Sequence, residues 1–314
     1  MKRPFVPGLA ALAGLLLIPA VATPAAAAFP GRNARIAFMR FDSANPLGEI
    51  HSVKPTGLAD LNLTNTPAIE DRDPAWSPDG RRIALRRYGA GADQLWVMNA
   101  DGSGLAVVPG SGEAGSPAWS PDGKRLVYEC YDPVTFVGHI CVREFSGAGF
   151  QLLSAPPAGA DDRQPVWSPD GTRIVWVRSL AAGGSQLVAL TLSTLSLDPV
   201  TPAVAGQYDA WPDWSPDSRE IVFSRTRSGA TSAGIYRVPS SGGPGKLFIA
   251  PPPAATDSHY TMPAWSPDGR KIAYVHLDDD EAWGYIYTVN TDGSGTTQIT
   301  FGPATDEVPD WSPA

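Results

Sequence analysis

The chain has 314 residues, a formal net charge of −8 at pH 7, and 18% charged residues. Nucleic-acid binding needs a basic patch or stripe that neutralises phosphates, so this acidic balance excludes nucleic acid as the expected partner. With 32 Gly, 32 Pro and 43% hydrophobic residues, the composition is typical of a turn-rich β protein and excludes a disordered chain.

The first segment is typical of a secretory signal peptide. Lys2 and Arg3 precede an uncharged apolar run at residues 9–21, and the alanines at 26–28 fit the small-x-small pattern before a cleavage site. The alternative, an uncleaved membrane anchor, is disfavoured because the run is shorter than the roughly 20 residues of a spanning helix and contains Pro19. We therefore predict a signal peptide at 1–28 and a periplasmic or secreted mature protein at 29–314 without a membrane span.

The rest of the chain repeats one unit. Trp-Ser-Pro occurs six times at intervals of 43 to 51 residues, at Trp76, Trp119, Trp167, Trp214, Trp265 and Trp311. The first five copies continue as Pro-Asp-Gly or Pro-Asp-Ser, a type I turn in which Pro sets φ and Gly takes positive φ. Ser218 replaces that Gly in the fourth copy, which predicts a looser turn. A large aromatic repeated once per unit predicts packing between units rather than ligand stacking.

Each unit is predicted to contain four strands. An apolar strand follows each turn, for example residues 82–85, 125–128, 173–176 and 271–274. Third strands are predicted at 95–98, 140–143, 187–190, 235–238 and 286–289, and short fourth strands at 106–108, 151–153, 200–204, 247–250 and 297–299. Four strands in roughly 45 residues predict one blade of a β-propeller.

The two ends of the chain complete one further unit. Residues 35–38 match the post-turn strand, residues 49–53 and 61–64 match the next two, and the chain stops one strand into a unit at Trp311. Asn33 takes the place of the turn Gly and is predicted to hold positive φ. We therefore predict an all-β, six-bladed propeller in which the C-terminal strand is the innermost strand of the blade that the N-terminus begins.

The two cysteines, Cys130 and Cys141, lie on neighbouring predicted strands, with Asp132 and Pro133 opening the loop between them. In an oxidising compartment this hairpin predicts a disulfide, the alternative being two buried free thiols. The short loop predicts a stabilisation at the low end of roughly 2–4 kcal/mol.

The recurring Pro-Ala-Trp-Ser-Pro-Asp-Gly, followed by a basic pair and an Ile-Ala-aromatic strand, resembles the TolB-type propeller repeat. The resemblance covers essentially the whole of residues 29–314, and ordinary WD-repeat (WD40-like) propellers share the spacing but not this motif. It implies a surface that docks a partner protein. TolB itself carries an α/β domain before its propeller, whereas only residues 29–32 lie between the predicted cut and the first repeat here.

Acidic residues recur just before the inner strands, in the predicted crossings from one blade to the next. They are Asp71, Asp73, Glu113, Asp161, Asp162, Asp209, Asp257, Asp306 and Glu307. We expect them to line a negative channel mouth that attracts a basic segment of a protein partner, or a cation, with calcium the ion to consider and no other cofactor. The alternative is a solvated rim of an acidic monomer. We predict a non-catalytic scaffold whose partner lies in the cell envelope or extracellular space.

The competing interpretation is a lyase or hydrolase with a metal-assisted site in the central channel. No Gly-x-Ser-x-Gly elbow occurs in the sequence, and residues 230–234 come nearest. None of the four histidines forms a close metal-ligand pair in sequence. Only His259 is predicted to lie in a crossing loop on the acidic face.

Overall fold

The computed structural model describes residues 31–43, 45–89, 91–230, 232–250, 258–278 and 283–314. The predicted signal peptide and Asp257 lie outside these ranges. In the described ranges the structure is all β, with six four-stranded antiparallel sheets. The prediction of a six-bladed propeller is confirmed.

The strands of blades 1 to 3 follow the predicted units. Blade 1 contains β1 (Asn33–Asp42), β2 (Glu49–Val53), β3 (Leu61–Asn62) and β24 (Ala304–Pro313). Blade 2 contains β4 (Asp71–Trp76), β5 (Arg82–Gly89), β6 (Ala92–Asn99) and β7 (Ala106–Val107). Blade 3 contains β8 (Ala114–Trp119), β9 (Arg125–Tyr131), β10 (Gly138–Glu144) and β11 (Gln151–Leu152).

Blades 4 to 6 repeat the same order. Blade 4 contains β12 (Asp162–Trp167), β13 (Arg173–Ser179), β14 (Ser185–Thr191) and β15 (Ser196–Pro199). Blade 5 contains β16 (Gln207–Trp214), β17 (Glu220–Arg227), β18 (Gly234–Pro239) and β19 (Lys246–Ile249). Blade 6 contains β20 (Ser258–Trp265), β21 (Lys271–Asp278), β22 (Trp283–Asn290) and β23 (Thr297–Gln298).

The sheet of blade 1 has the order β24-β1-β2-β3, so the C-terminal strand is innermost, as predicted. Asn33 does not take the left-handed conformation predicted for it but begins the extended strand β1. Two distant segments meet at this point, so no residue has to reverse the chain there. Asn33 Oδ1 instead accepts a hydrogen bond from the amide of Asp268 in the turn of blade 6 (3.3 Å).

The fourth strand of blade 4 lies at Ser196–Pro199 and not at the predicted 200–204. Val200 is the apolar residue after this strand, and its amide donates to the carbonyl of Leu187 (2.8 Å). Val108 makes the same bond to Leu95 after the fourth strand of blade 2. The prediction was wrong because Val200, which is buried against the core, was taken as the start of the strand.

The hydrophobic core is divided among the six contacts between neighbouring blades. The motif tryptophans are only 2–7% exposed, and each belongs to a cluster that also contains residues of a neighbouring blade. Trp76, for example, packs with Ala37, Met39 and Ile50 of blade 1. The predicted role of these tryptophans in packing between blades is confirmed.

The turns around the channel contact one another in a ring. Gly80 lies so close to the carbonyl of Pro313 that a Cβ would come within 2.5 Å of its oxygen. Ser218 has φ of 60°, and its Oγ accepts a hydrogen bond from the amide of Asp170 in blade 4 (3.0 Å). Its turn closes with a 2.8 Å bond to Ser215, against 2.9 Å in the turn of blade 2. The predicted looser turn is therefore not observed.

Cys130 and Cys141 form a disulfide between β9 and β10, with 5.9 Å between their Cα atoms. The predicted bond is confirmed. Cys141 is fully buried between blades 2 and 3, so the bond anchors the hairpin to the core of the ring.

Candidate functional site: the crossing-loop face and the channel

The ring has two faces. We call the face with the Ser-Pro-Asp-Gly turns the turn face, and the opposite one, where the chain passes from the outer strand of one blade to the inner strand of the next, the crossing-loop face. The central channel opens between the inner strands. The predicted acidic residues divide into two groups by their place on these surfaces.

Four of the predicted acidic residues are buried in ion pairs within a blade. Each carboxylate accepts two hydrogen bonds from the Nε and Nη2 groups of an arginine on the adjacent strand, at 2.5 to 2.8 Å, and each is 0–1% exposed. The pairs are Asp71 with Arg87, Asp162 with Arg178, Asp209 with Arg225, and Asp306 with Arg40. These carboxylates join the inner strand to the second strand, and their oxygens are already occupied by arginine.

The two remaining blades have other residues at the equivalent positions. In blade 3 Ala114 faces Cys130, which forms the disulfide. In blade 6 Tyr260 faces His276, with their rings 4.8 Å apart. The His276 Nε2 atom lies 2.8 Å from the hydroxyl of Ser258, which is 1% exposed. In blade 3 Cys130 therefore occupies the position of the paired arginine, but its disulfide joins β9 to β10 rather than β8 to β9.

The other predicted acidic residues remain near solvent or at the channel mouth. Glu113 is exposed and accepts a weak bond from the amide of Asp93 (3.3 Å). The side chain of Asp161 is 31% exposed and lies 3.4 Å from Arg163. Burial raises the pKa of Glu307, although Arg72 lowers it. Asp257 lies outside the described residues.

Asp73 lies at the mouth in a network of charged groups. Its Oδ2 lies 3.4 Å from Arg86 Nε and accepts a hydrogen bond from the amide of Ser116 (3.3 Å). Burial raises the pKa of Asp73 although Arg86 lowers it. Glu129, which sequence reasoning did not single out, also raises this pKa and accepts bonds from the Gln164 amide and the Tyr131 hydroxyl (2.8 and 2.6 Å).

Six residues at one repeat position form the rim of the channel. Each lies three residues before a motif Trp, has φ between 44° and 53°, and marks a bulge in the inner strand: Asp73, Ser116, Gln164, Trp211, Met262 and Val308. Left-handed conformations are uncommon for such residues. The rim is polar in blades 2 to 4 and apolar in blades 5, 6 and 1, so its two halves differ in chemistry.

A cavity of about 120 Å³ lies in the channel behind this rim, and Asp213 and Asp310 line it. Asp213 accepts hydrogen bonds from the amides of Trp214 and Trp265 (2.9 and 2.7 Å). Asp310 accepts one from the amide of Trp76 (2.6 Å). Each carboxylate therefore joins its own blade to the next.

The two channel carboxylates have raised pKa values. Burial raises the pKa of Asp213 to about 7. Burial, with a contribution from the charge of Asp213, raises the pKa of Asp310 to about 8. Sequence reasoning missed both residues, although Pro-Asp-Trp at these two sites departs from the Pro-Ala-Trp or Pro-Val-Trp of the other four units.

The positions of the histidines bear on the alternative of a metal-assisted site in the channel. His259 is the second residue of β20 rather than part of a crossing loop, and His51 lies in blade 1, 3.0 Å from Asp60. Within the described ranges, no three His, Cys, Asp or Glu side chains are grouped so as to hold a metal ion. The same part of the chain contains no helix with the length and apolar character needed to cross a bilayer.

Comparisons with known proteins agree with this architecture. A family model described as the TolB β-propeller domain matches residues 23–201, which is more than half of the chain. No curated protein matches the chain in sequence. The structure of TolB from Acinetobacter baumannii is 18% identical with a TM-score of 0.75, and the match covers 91% of this chain and 68% of that one.

Two further structures are similar in fold. The putative TolB from Agrobacterium tumefaciens is 19% identical with a TM-score of 0.64, and the match covers 90% of this chain and all of that one. Hydrazine synthase of Kuenenia stuttgartiensis is 15% identical with a TM-score of 0.70, and the match covers 90% of this chain and 47% of that one. At these identities the similarity shows the fold alone.

Proposed function

Since the chain belongs to the TolB β-propeller domain family, we propose that it is an exported protein-binding scaffold that docks a partner on its crossing-loop face, around the channel mouth. Its disulfide supports a location in the periplasm or outside the cell, where such bonds persist. The partner is a protein that presents a segment with both basic and apolar side chains.

The observation that carries this proposal is the rim of six left-handed residues. Holding a residue such as Trp211, Met262 or Val308 in this conformation costs about 1–2 kcal/mol relative to glycine, and such strain clusters at functional sites. The left-handed residue shifts the strand register at the rim in each blade. The polar half of the rim suits a basic group, and the apolar half suits an aliphatic or aromatic side chain of the same segment.

The charges around the mouth support the basic character of the partner. Glu113 is exposed, the side chain of Asp161 is 31% exposed and Glu307 is half-buried, whereas the four aspartates in ion pairs are buried. They lie within a chain of net charge −8, and complementary charge increases the rate of encounter more than the final affinity. The charge of Asp73 is paired with Arg86. We therefore assign Asp73 to holding the rim in place, through its hydrogen bond from the amide of Ser116, rather than to attracting the partner.

The test is a cross-linking pull-down from envelope and culture fluid with the full-length protein after export. We expect one protein to be enriched by the wild type and lost with E113Q/D161N/E307Q. The matched control is D101N/D198N/D292N, which removes the same number of charges at exposed positions outside the crossing loops: Asp101 and Asp292 lie in turns of the turn face, and Asp198 lies in the outer strand β15. Equal enrichment by wild type and both variants would contradict docking through the crossing-loop face.

An enzyme with its site in the channel is a second candidate, favoured by Asp213 and Asp310. Two carboxylates with pKa values of about 7 and 8 are suited to exchange protons near neutral pH. A screen of uronides and small esters with the wild type and D213N/D310N tests this function. Turnover that the double variant lacks would support it, and turnover that survives in the double variant would exclude these residues.

A further inference from the structure

We infer that the tip of the β9–β10 hairpin, residues 132–137, is an apolar anchor that inserts into a hydrophobic pocket bordered by basic residues on a partner protein. This inference rests on the proposed function, because the tip extends the same crossing-loop face. It assigns the main apolar contact to a segment outside the channel mouth.

Exposure is the first observation. Val134 is 82% exposed and Phe136 is 71% exposed, the highest values for large apolar side chains in the described part of the chain. Both project from one six-residue loop. Neighbouring apolar side chains at such exposure are typical of surfaces that become buried on binding.

The backbone of Phe136 is the second observation. Its φ is 56°, a conformation that Gly and Asn adopt readily and bulky residues rarely do. No ring or guanidinium contact involves this side chain among the described residues. Gly or Asn would hold this conformation at a lower cost than Phe, so we assign the phenyl ring to a contact with a partner.

Hydrogen bonds and a nearby disulfide constrain the tip, which lowers the entropy cost of using it as an anchor. Asp132 Oδ1 accepts hydrogen bonds from the amides of Val134 and Thr135 (2.9 and 2.7 Å). The Asp132 carbonyl accepts another from the amide of Phe136 (2.9 Å). The disulfide holds the strands just below the loop, and Asp161 Oδ1 accepts from the amide of Gly138 (2.9 Å).

The charge around the tip selects a protein with a basic pocket rim. Asp132 lies on the loop and Asp161 contacts its base, so the apolar side chains are bordered by carboxylates. An anionic lipid surface would repel these charges. Basic side chains around a pocket would pair with them at the edge of a desolvated contact, the usual anatomy of a binding hot spot.

The experiment places a photo-reactive phenylalanine at position 136 in the exported full-length protein. Position 150 is the matched control, because Phe150 is 59% exposed in the same blade but lies between β10 and β11 on the turn face. We expect a cross-link from position 136 to one protein, at an apolar segment next to Lys or Arg, and none from position 150. Cross-links at 136 to lipid, to a second copy of the chain or to nothing would overturn the inference.

The variant F136N separates binding from folding, because Asn tolerates the left-handed conformation. We expect it to weaken binding of the cross-linked protein at least tenfold, with the Tm unchanged or raised. A lowered Tm would show that Phe136 is structural and would overturn the anchor. The variant E113Q/E307Q tests the acidic docking surface separately, because it leaves Asp161 at the base of the tip unchanged. If F136N binds normally while E113Q/E307Q does not, the anchor alone is wrong; if only F136N loses binding, the acidic docking surface is wrong and the anchor stands.

Discussion

At the scale of single residues, Asp213 and Asp310 couple stability to pH. Their pKa values of about 7 and 8 lie above those of unfolded carboxyl groups, so the folded protein binds more protons between about pH 4 and pH 8. Their contribution to stability is therefore complete at low pH and is lost as the pH rises through this window. Protonation relieves the desolvation of each carboxylate and the repulsion between the two.

We predict that D213N/D310N raises the Tm at pH 8.5 by about 2–6 °C, since 1 kcal/mol shifts the Tm of a domain of this size by about 2–4 °C. The difference from wild type should shrink towards zero at pH 5, where the carboxyls are protonated. Thermal unfolding followed by circular dichroism across this range measures it. The exposed D292N should show no such trend, and a gain of equal size at pH 5 and pH 8.5 would contradict the raised pKa values.

The channel position of these two aspartates could not be read from strand alternation. The bulge three residues before each motif Trp shifts the register of the inner strand, so a period of two counted from the start of the strand assigns these aspartates to the wrong face. Its left-handed residue is Asp, Ser, Gln, Trp, Met or Val in the six blades. Sequence reasoning looks for Gly or Asn at such a bulge and found no signal in this mixture.

At the scale of elements, the buried Asp–Arg pairs hold the inner strand of four blades to the second strand. Removing one partner of a buried pair leaves an uncompensated charge and costs about 3–5 kcal/mol. We predict this loss for D162A, measured by guanidinium unfolding. The double variant D162A/R178M should recover much of it, because it leaves no buried charge, much as Ala114 and Cys130 do in blade 3. A double variant as unstable as D162A would contradict the assignment.

The sequence contained enough to find these pairs. Asp and Arg are separated by 16 residues in blades 2, 4 and 5, the offset that joins the start of one strand to the end of its antiparallel neighbour. The acidic residues were instead interpreted as a free rim because the inner strands were expected to begin later. The strands, the disulfide and the ring closure followed from repeat spacing and turn chemistry, which are local. The pairing of side chains depends on the register between strands, which is not a local property of the sequence.

The disulfide joins β9 to β10 in the blade that lacks an Asp–Arg or Tyr–His pair, and it should stabilise the ring modestly. With a sequence separation of 11, loop closure predicts a loss of about 3 kcal/mol or less for C130A/C141A. Guanidinium unfolding with and without dithiothreitol measures the effect in the wild type. Dithiothreitol should leave the double variant unaffected, and identical unfolding of oxidised and reduced wild type would show that the bond contributes nothing.

At the scale of the whole molecule, the ring is closed within blade 1, where hydrogen bonds and not a covalent turn join the inner strand β24 to β1. Strand β24 pairs with β1 along its length, and Trp311 lies in the core between blades 6 and 1. Each of the other inner strands is joined to its blade by a turn. In the other five blades a covalent turn also holds the inner strand next to the second strand. In blade 1 the position of the inner strand depends on the non-covalent contacts between β24 and β1.

Deleting residues 304–314 should accordingly prevent the ring from closing, because it exposes β1 and opens the cores on both sides of blade 1. We expect the truncated chain to lose cooperative unfolding, measured by calorimetry and by the fluorescence of the motif tryptophans.

A circular permutant is the matched control. The amide of Ala314 donates to the carbonyl of Arg32 (2.8 Å), so a short linker can join these ends while new termini open the turn at Asp217 and Ser218. The permutant should unfold cooperatively like the wild type, since it keeps every strand and only moves the gap. Cooperative unfolding of the truncated chain would contradict closure by β24. If the permutant also loses cooperative unfolding, the position of the chain termini matters more than the pairing of β24 with β1.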